Sequence, residues 1–155
     1  LERADGIKEG LEENCEDNYE IIAEVDGLEA PEAQTNVETV MSAHPDANVF
    51  VGVCAGAMIG SNEALLAEFG KGKIPENYGV ITTDVTLQQL DSLKAGNEAV
   101  RAIVGFEGSN EDTAKACADM FERILSGDDF SSGKNIYRAI GPITLDNVDQ
   151  ILKGM

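Results

Sequence analysis

A doubly wound α/β fold, a parallel sheet between two layers of helices (three-layer αβα), is the class this sequence predicts, and three observations carry the prediction. Short runs rich in Val, Ile and Phe alternate with segments of helical periodicity, the order that successive βαβ units with right-handed crossovers produce. The length, 155 residues, suits one main domain with a core of its own. Between Ala43 and Leu66 a strand-like run passes straight into a helical one through Gly52-Val53-Cys54-Ala55-Gly56. In α/β sheets such turns present residues to ligands.

Ala4, Ile7 and Leu11 keep helical spacing, and residues 19–25 form a short apolar run that predicts a buried strand. Pro31 sits where a helix begins, with Val37, Val40 and Met41 as its inner face and Pro45 as its stop. Residues 47–54 predict the second strand. Residues 58–69 predict the next helix, closed by Gly70 just past its end. Residues 79–83 read as a further strand, and Thr86-Leu87-Gln88-Gln89 is a capping-box pattern. The helix it opens has Leu87, Leu90 and Leu93 inside and stops at Gly96. Residues 100–104 predict the fourth strand.

Ser109-Asn110-Glu111-Asp112 then caps a long amphipathic helix, in which Thr113, Cys117, Met120, Phe121, Ile124 and Leu125 keep helical spacing up to Gly127. Residues 135–140 predict a short strand and residues 146–152 a terminal helix. Ligands bind at the carboxyl ends of parallel strands. The ends concerned are Cys54-Ala55, Thr83-Asp84-Val85 and Gly105-Phe106-Glu107.

The net charge of -18 is strongly acidic, and residues 1–33 alone hold twelve carboxylates, from Glu2 to Glu32, against Arg3 and Lys8. Such a surface repels phosphate backbones, so nucleic acid is not an expected partner. Glu12, Glu13, Glu16 and Asp17 are spread around a helix rather than converging, and no calcium-loop pattern appears; neither metal nor cofactor is expected. No apolar run approaches the roughly 20 residues that cross a bilayer, which predicts a soluble chain. The sequence opens at Leu1 without an initiator Met, basic segment or apolar leader, and so reads as one from which preceding residues have been removed. Cys15, Cys54 and Cys117 are odd in number and widely spaced, which excludes zinc and C-x-x-C redox readings and argues against a disulfide framework.

Gly52-Val53-Cys54-Ala55-Gly56 also has the form G-x-C-x-G of a nucleophile elbow. Amides at a helix N-terminus would favour the Cys54 thiolate and build an oxyanion hole. The missing part is a base. His44, the only histidine, precedes the strand that Cys54 ends, and at 3.3 Å per residue a strand of five residues separates them by about 17 Å. His44 reads instead as a helix C-terminal residue complementing the dipole. Glu107 would sit near Cys54 across the sheet edge, but a cysteine hydrolase with a lone carboxylate would be unusual. Gly52, Gly56 and Gly60 are spaced by four, matching neither G-x-G-x-x-G nor a P-loop; they read as small residues that let the helix approach the sheet. Binding is favoured over catalysis.

The order of five segments carries a resemblance. They are Arg3-Ala4-Asp5-Gly6-Ile7, His44-Pro45-Asp46, Ile81-Thr82-Thr83-Asp84, Ile124-Leu125-Ser126-Gly127 and Ile143-Thr144-Leu145-Asp146-Asn147-Val148-Asp149. Taken together this order resembles the second half of a type I periplasmic sugar-binding protein, in the superfamily of ribose-binding proteins and lactose-repressor-type effector domains. The resemblance implies one lobe of a two-lobed clamp that closes on a small polar solute, here the C-terminal lobe without its first strand. By similarity residues 1–107 and 141–155 belong to this lobe and residues 108–140 to the other. The long helix would then have lost its partner sheet, and its apolar face, over residues 109–126, would associate elsewhere, for instance with a second copy of the chain.

Carried over by the resemblance, Arg3 is a ligand-contacting arginine whose guanidinium donates to two hydroxyls, and Asp84 is an acceptor for a pair of sugar hydroxyls. The plainer alternatives are a surface ion pair within the first helix for Arg3 and a turn residue before Thr86 for Asp84. Departures also matter. Val53-Cys54 stands where pentose-binding relatives commonly have Asn-Asp, and Gly105 or Phe106 where they have a glutamine. The ligand-binding set is therefore Asp84, Arg3, Cys54, Val53, Phe106 and Glu107, around a pocket more apolar than a pentose site, with Phe106 offered to a ring face. The resemblance implies the solute-binding component of an ABC-type sugar uptake system, partnered by a membrane permease and placed in the periplasm or on the cell surface as a lipoprotein. The alternatives are an effector domain of a cytoplasmic transcription regulator and a cysteine hydrolase or amidotransferase using Cys54.

Overall fold

The structure, a computed structural model, describes residues 2–16, 18–106, 108–130 and 139–155. Ten elements follow one another: α1 (Glu2–Asn14), α2 (Ala30–Ala43), β1 (Val49–Gly52), α3 (Ala55–Phe69), β2 (Gly79–Thr83), α4 (Leu87–Ala95), β3 (Val100–Phe106), α5 (Asn110–Leu125), β4 (Ile140–Ile143) and α6 (Val148–Lys153). The strands form one sheet in the order β1-β2-β3-β4. The first three are parallel, with Phe50 beside Val80 and Thr82 beside Ile103; β4 returns antiparallel, with Val104 beside Pro142. This is the α/β class that the sequence predicts, with a parallel-dominated sheet and flanking helices.

Alternation within each strand decides which face is covered. Gly52, Val80, Thr82, Ile103 and Ile143 are buried, and against them pack Met58 and Leu65 of α3, Leu90 and Leu93 of α4, and Val148 of α6. α2 meets α3, α3 meets α4 and α4 meets α6, so these helices share one face. On the other face Val49, Val51 and Ile81 remain 51%, 43% and 36% exposed. α1 and α5 bury no residue at all.

Helix ends follow local chemistry. Pro31 lies in the first turn of α2, where its missing N–H costs nothing. Gly70 and Gly96 take φ 83 and 66 after α3 and α4. Thr86 and Gln89 complete a capping box on α4, and Ser109 and Asp112 another on α5. Lys94 and Asp149, 2.7 Å apart, tie α4 to α6, and the contact raises the pKa of the lysine and lowers that of the aspartate.

Several expectations are corrected. Residues 19–25 are not a strand: β1 pairs only with β2, no ladder receives this run, and Tyr19, Ile21 and Val25 stay exposed. Leu87, expected inside α4, is 58% exposed because it is the first residue of the helix. The last strand lies at Ile140–Ile143, later than expected, and residues 135–138 lie outside the described residues. Of the spaced glycines, Gly52 does let α3 approach the sheet, a Cβ there falling 3.1 Å from Met58 N, but the two within α3 serve helix packing instead. A Cβ on Gly56 would collide with Leu28 O, and one on Gly60 with Ala30 O and the Ala33 side chain. These two hydrogen-sized side chains let α3 close on α2 and its lead-in.

Candidate functional site

β1 and β2 end side by side, Gly52 opposite Thr82, so Val53-Cys54 and Thr83-Asp84 leave the sheet together at its carboxyl edge. Asp84 takes φ 68, a left-handed conformation that Asp tolerates better than most residues. The turn is needed because β2 must hand over within three residues to α4. Across this edge lies the first turn of α1. Arg3 Nη1 donates to Asp84 Oδ1 at 2.8 Å, to Val53 O at 2.8 Å and, less closely, to Thr83 Oγ1 at 3.3 Å. The pair is half open to water, with side chains 56% and 37% exposed, and is worth at most about 1 kcal/mol to stability. Among the described residues Arg3 Nη2 and Asp84 Oδ2 make no hydrogen bond. Each side chain thus keeps hydrogen-bonding capacity beyond the pair, donor on Arg3 and acceptor on Asp84.

Beneath the pair lies a buried polar network. Gln89 Nε2 donates to Thr83 O at 3.0 Å and to Thr82 Oγ1 at 3.4 Å, while its Oε1 accepts from Thr86 N at 2.9 Å. Thr82 Oγ1 in turn lies 2.9 Å from Thr83 O and 3.3 Å from Cys54 O; its single proton is shared between them. Gln89 and Thr82 are 0% and 1% exposed. Neither was a candidate site residue in the sequence, where Gln89 was only the last residue of a capping-box pattern and Thr82 one of the segment Ile81–Asp84. A capping glutamine beside a buried leucine was the one signal available.

Of the expected site residues, the structure joins Arg3, Asp84 and Val53, the last through its carbonyl oxygen rather than its side chain. Arg3 therefore pairs with Asp84 rather than within the acidic first helix. Cys54 caps α3 in an extended conformation without a side-chain cap bond, and its Sγ turns to Leu28 O at 3.6 Å. Phe106, at the end of β3, is 58% exposed. Glu107 lies outside the described residues. His44 is the C-cap of α2, before the strand that Cys54 follows, and so at the opposite end of the sheet. A cavity of about 460 Å³ lined by Met41, Pro45, Phe69 and Tyr78 is also at that far end. Among the described residues no group of three His, Cys, Asp or Glu side chains converges on a metal position, and no helix is long and apolar enough to cross a membrane.

The sequence matches the model of a periplasmic binding protein domain over residues 1–129. The chain belongs to that family. It is a family of solute-binding proteins, not enzymes. The Caulobacter myo-inositol binding protein bound to myo-inositol is similar in fold, with TM-score 0.76, 21% identity, 98% of this chain covered and 49% of that one. A Mycobacterium smegmatis protein gives TM-score 0.75 at 18% identity, over 97% of this chain and 47% of that one. The 5-methylthioribose transporter solute binding protein of Thermotoga lettingae gives TM-score 0.61 at 20% identity, over 77% of this chain and 35% of that one. The chain thus spans half or less of the length of these structures. No curated protein matches the sequence.

Proposed function

We propose that this periplasmic binding domain is one lobe of a sugar receptor for an ABC-type uptake system, with Asp84 and Arg3 as its leading solute contacts. The observation that carries the reading is the half-exposed Arg3–Asp84 pair at the shared carboxyl edge of β1 and β2. Solved structures of similar fold include sugar- and inositol-binding proteins, which supports a polyhydroxylated solute. Val53, Cys54 and Phe106 border the same edge and supply its less polar part; Glu107 belongs to the proposed set by its place after β3. The absence of any buried residue on α5 supports assigning residues 108–140 to a second lobe, with residues 1–107 and 141–155 as the first. Partnership with a membrane permease, and a place in the periplasm or on the cell surface, belong to the same proposal.

Calorimetry on a protein carrying both lobes, with D-galactose, D-ribose and myo-inositol as probes, tests it. Binding of one probe that Asp84→Ala and Arg3→Ala each weaken at least tenfold is expected. Binding unchanged by both substitutions removes the pair from the site. Absence of binding by all three, with rapid stoichiometric alkylation of Cys54 and turnover lost in Cys54→Ser, overturns the receptor reading in favour of cysteine chemistry.

A further inference from the structure

We propose that Gln89 is a positioning residue for the Asp84 carboxylate, the side chain through which the fold sets the geometry of the candidate solute site. The inference rests on Asp84 and Arg3 being that site. Gln89 is 0% exposed, a depth at which an amide is retained only with its hydrogen bonds made. A helix cap needs one of those bonds, the one that Oε1 accepts from the N-cap N–H of Thr86. The other end of the side chain does something a cap does not require: Nε2 reaches back to Thr83 O at 3.0 Å.

One planar amide therefore grips both sides of the turn. It holds the carbonyl of Thr83, just before Asp84, and the N–H of Thr86, two residues after it. Asp84 is left between these fixed points at φ 68. A left-handed non-glycine residue persists only where its surroundings over-determine it, and this double grip is the over-determination. The same Nε2 lies 3.4 Å from Thr82 Oγ1, which reaches Cys54 O at 3.3 Å. The end of β1 is thus registered against the end of β2 through Gln89. Both close acceptors of Arg3, Asp84 Oδ1 and Val53 O, depend on that registration.

The test uses nitrogen NMR of the Arg3 guanidinium in the 155-residue chain, comparing Gln89→Met with Thr86→Ala. Gln89→Met keeps the volume and removes both amide bonds; Thr86→Ala weakens the cap but leaves Nε2 on Thr83 O. The slowed, separate Nη signals of an arginine pinned between Asp84 and Val53 are expected to collapse to an average in Gln89→Met and to persist in Thr86→Ala. Gln89→Glu gives the rescue. Its protonated carboxyl reproduces the donor and acceptor of the amide, and burial raises its pKa. The separate signals should return as pH is lowered and fade as it is raised and the side chain ionises. Separate signals retained in folded Gln89→Met, or lost equally in Thr86→Ala, overturn the proposal and leave Gln89 a helix cap. Should Gln89→Met fail to fold, a Gln89→Glu profile that stays flat with pH in the folded chain overturns it alone. No sugar enters this readout, so failure of the receptor reading, judged by calorimetry, remains separate.

Discussion

The helix α4 and the helix α5 carry similar instructions and meet opposite fates. Both open with a capping box, and both repeat apolar residues at helical spacing. α4, nine residues long, buries Gln89, Leu90 and Leu93. α5, sixteen residues long, buries none and leaves Phe121, Ile124 and Leu125 at 67%, 55% and 86% exposure. An apolar stripe states that a helix is built to be covered; it does not state by what. For α4 the cover is β3 and α6 of the same sheet unit.

That contrast has consequences in stability. Leu90→Ala removes a fully buried side chain and should cost about 2–5 kcal/mol by urea denaturation, whereas Phe121→Asp on α5 should stay within about 0.5 kcal/mol. Equal costs for the two would erase the distinction. Next in size is a pair of glycines. Gly60→Ala drives a Cβ into Ala30 O and the Ala33 side chain and should destabilise by about 1–3 kcal/mol. On α1, Gly10 has nothing within 4 Å, so Gly10→Ala should stabilise by roughly 0.5–1 kcal/mol through helix propensity.

Two smaller effects concern helix ends and pH. Cys54 is an N-cap with extended backbone and no cap bond from its side chain; Cys54→Ser should add one and raise the thermal midpoint, by up to about 1 kcal/mol of stability. Glu98 sits between Lys71 at 2.6 Å and Asn62 at 3.0 Å. Desolvation pushes its carboxyl up, but the hydrogen bonds from Lys71, Asn62 and Ser92 outweigh this and hold its pKa below the ordinary 4.5. Because the folded value is the lower one, the stabilisation is in place above pH 4.5 and is lost as pH falls through the folded value. Urea midpoints measured between about pH 5 and pH 3 should fall less steeply in Glu98→Gln than in the parent.

Sequence periodicity located most of this fold because most of its signals are local. The strand at Gly79–Thr83 and the capping box at Thr86 and Gln89 are where the residues place them, since β-branched runs and caps act within a few positions. Residues 19–25 show where local signals stop. Their apolar run has strand composition, but a strand exists only when a neighbour completes its ladder, and β1 offers them none. The spaced glycines of α3 misled for a related reason. A small residue announces close approach without naming the surface approached, which is α2 rather than the sheet.

At the candidate site, Arg3 and Asp84 came from the resemblance, and their meeting across about eighty positions is a product of tertiary structure. Gln89 escaped notice because its second hydrogen bond goes back along the chain to Thr83 O, in a direction no capping pattern encodes.

The left-handed backbone at Asp84 also limits how this edge can diversify. Few residues other than Gly, Asn and Asp settle readily at that φ, so point substitutions at Asp84 meet a steep conformational barrier. Val53 and Cys54, neither of them at positive φ, meet no such barrier. Variation along this edge is therefore cheaper at Val53 and Cys54 than at the acceptor of the β2 turn.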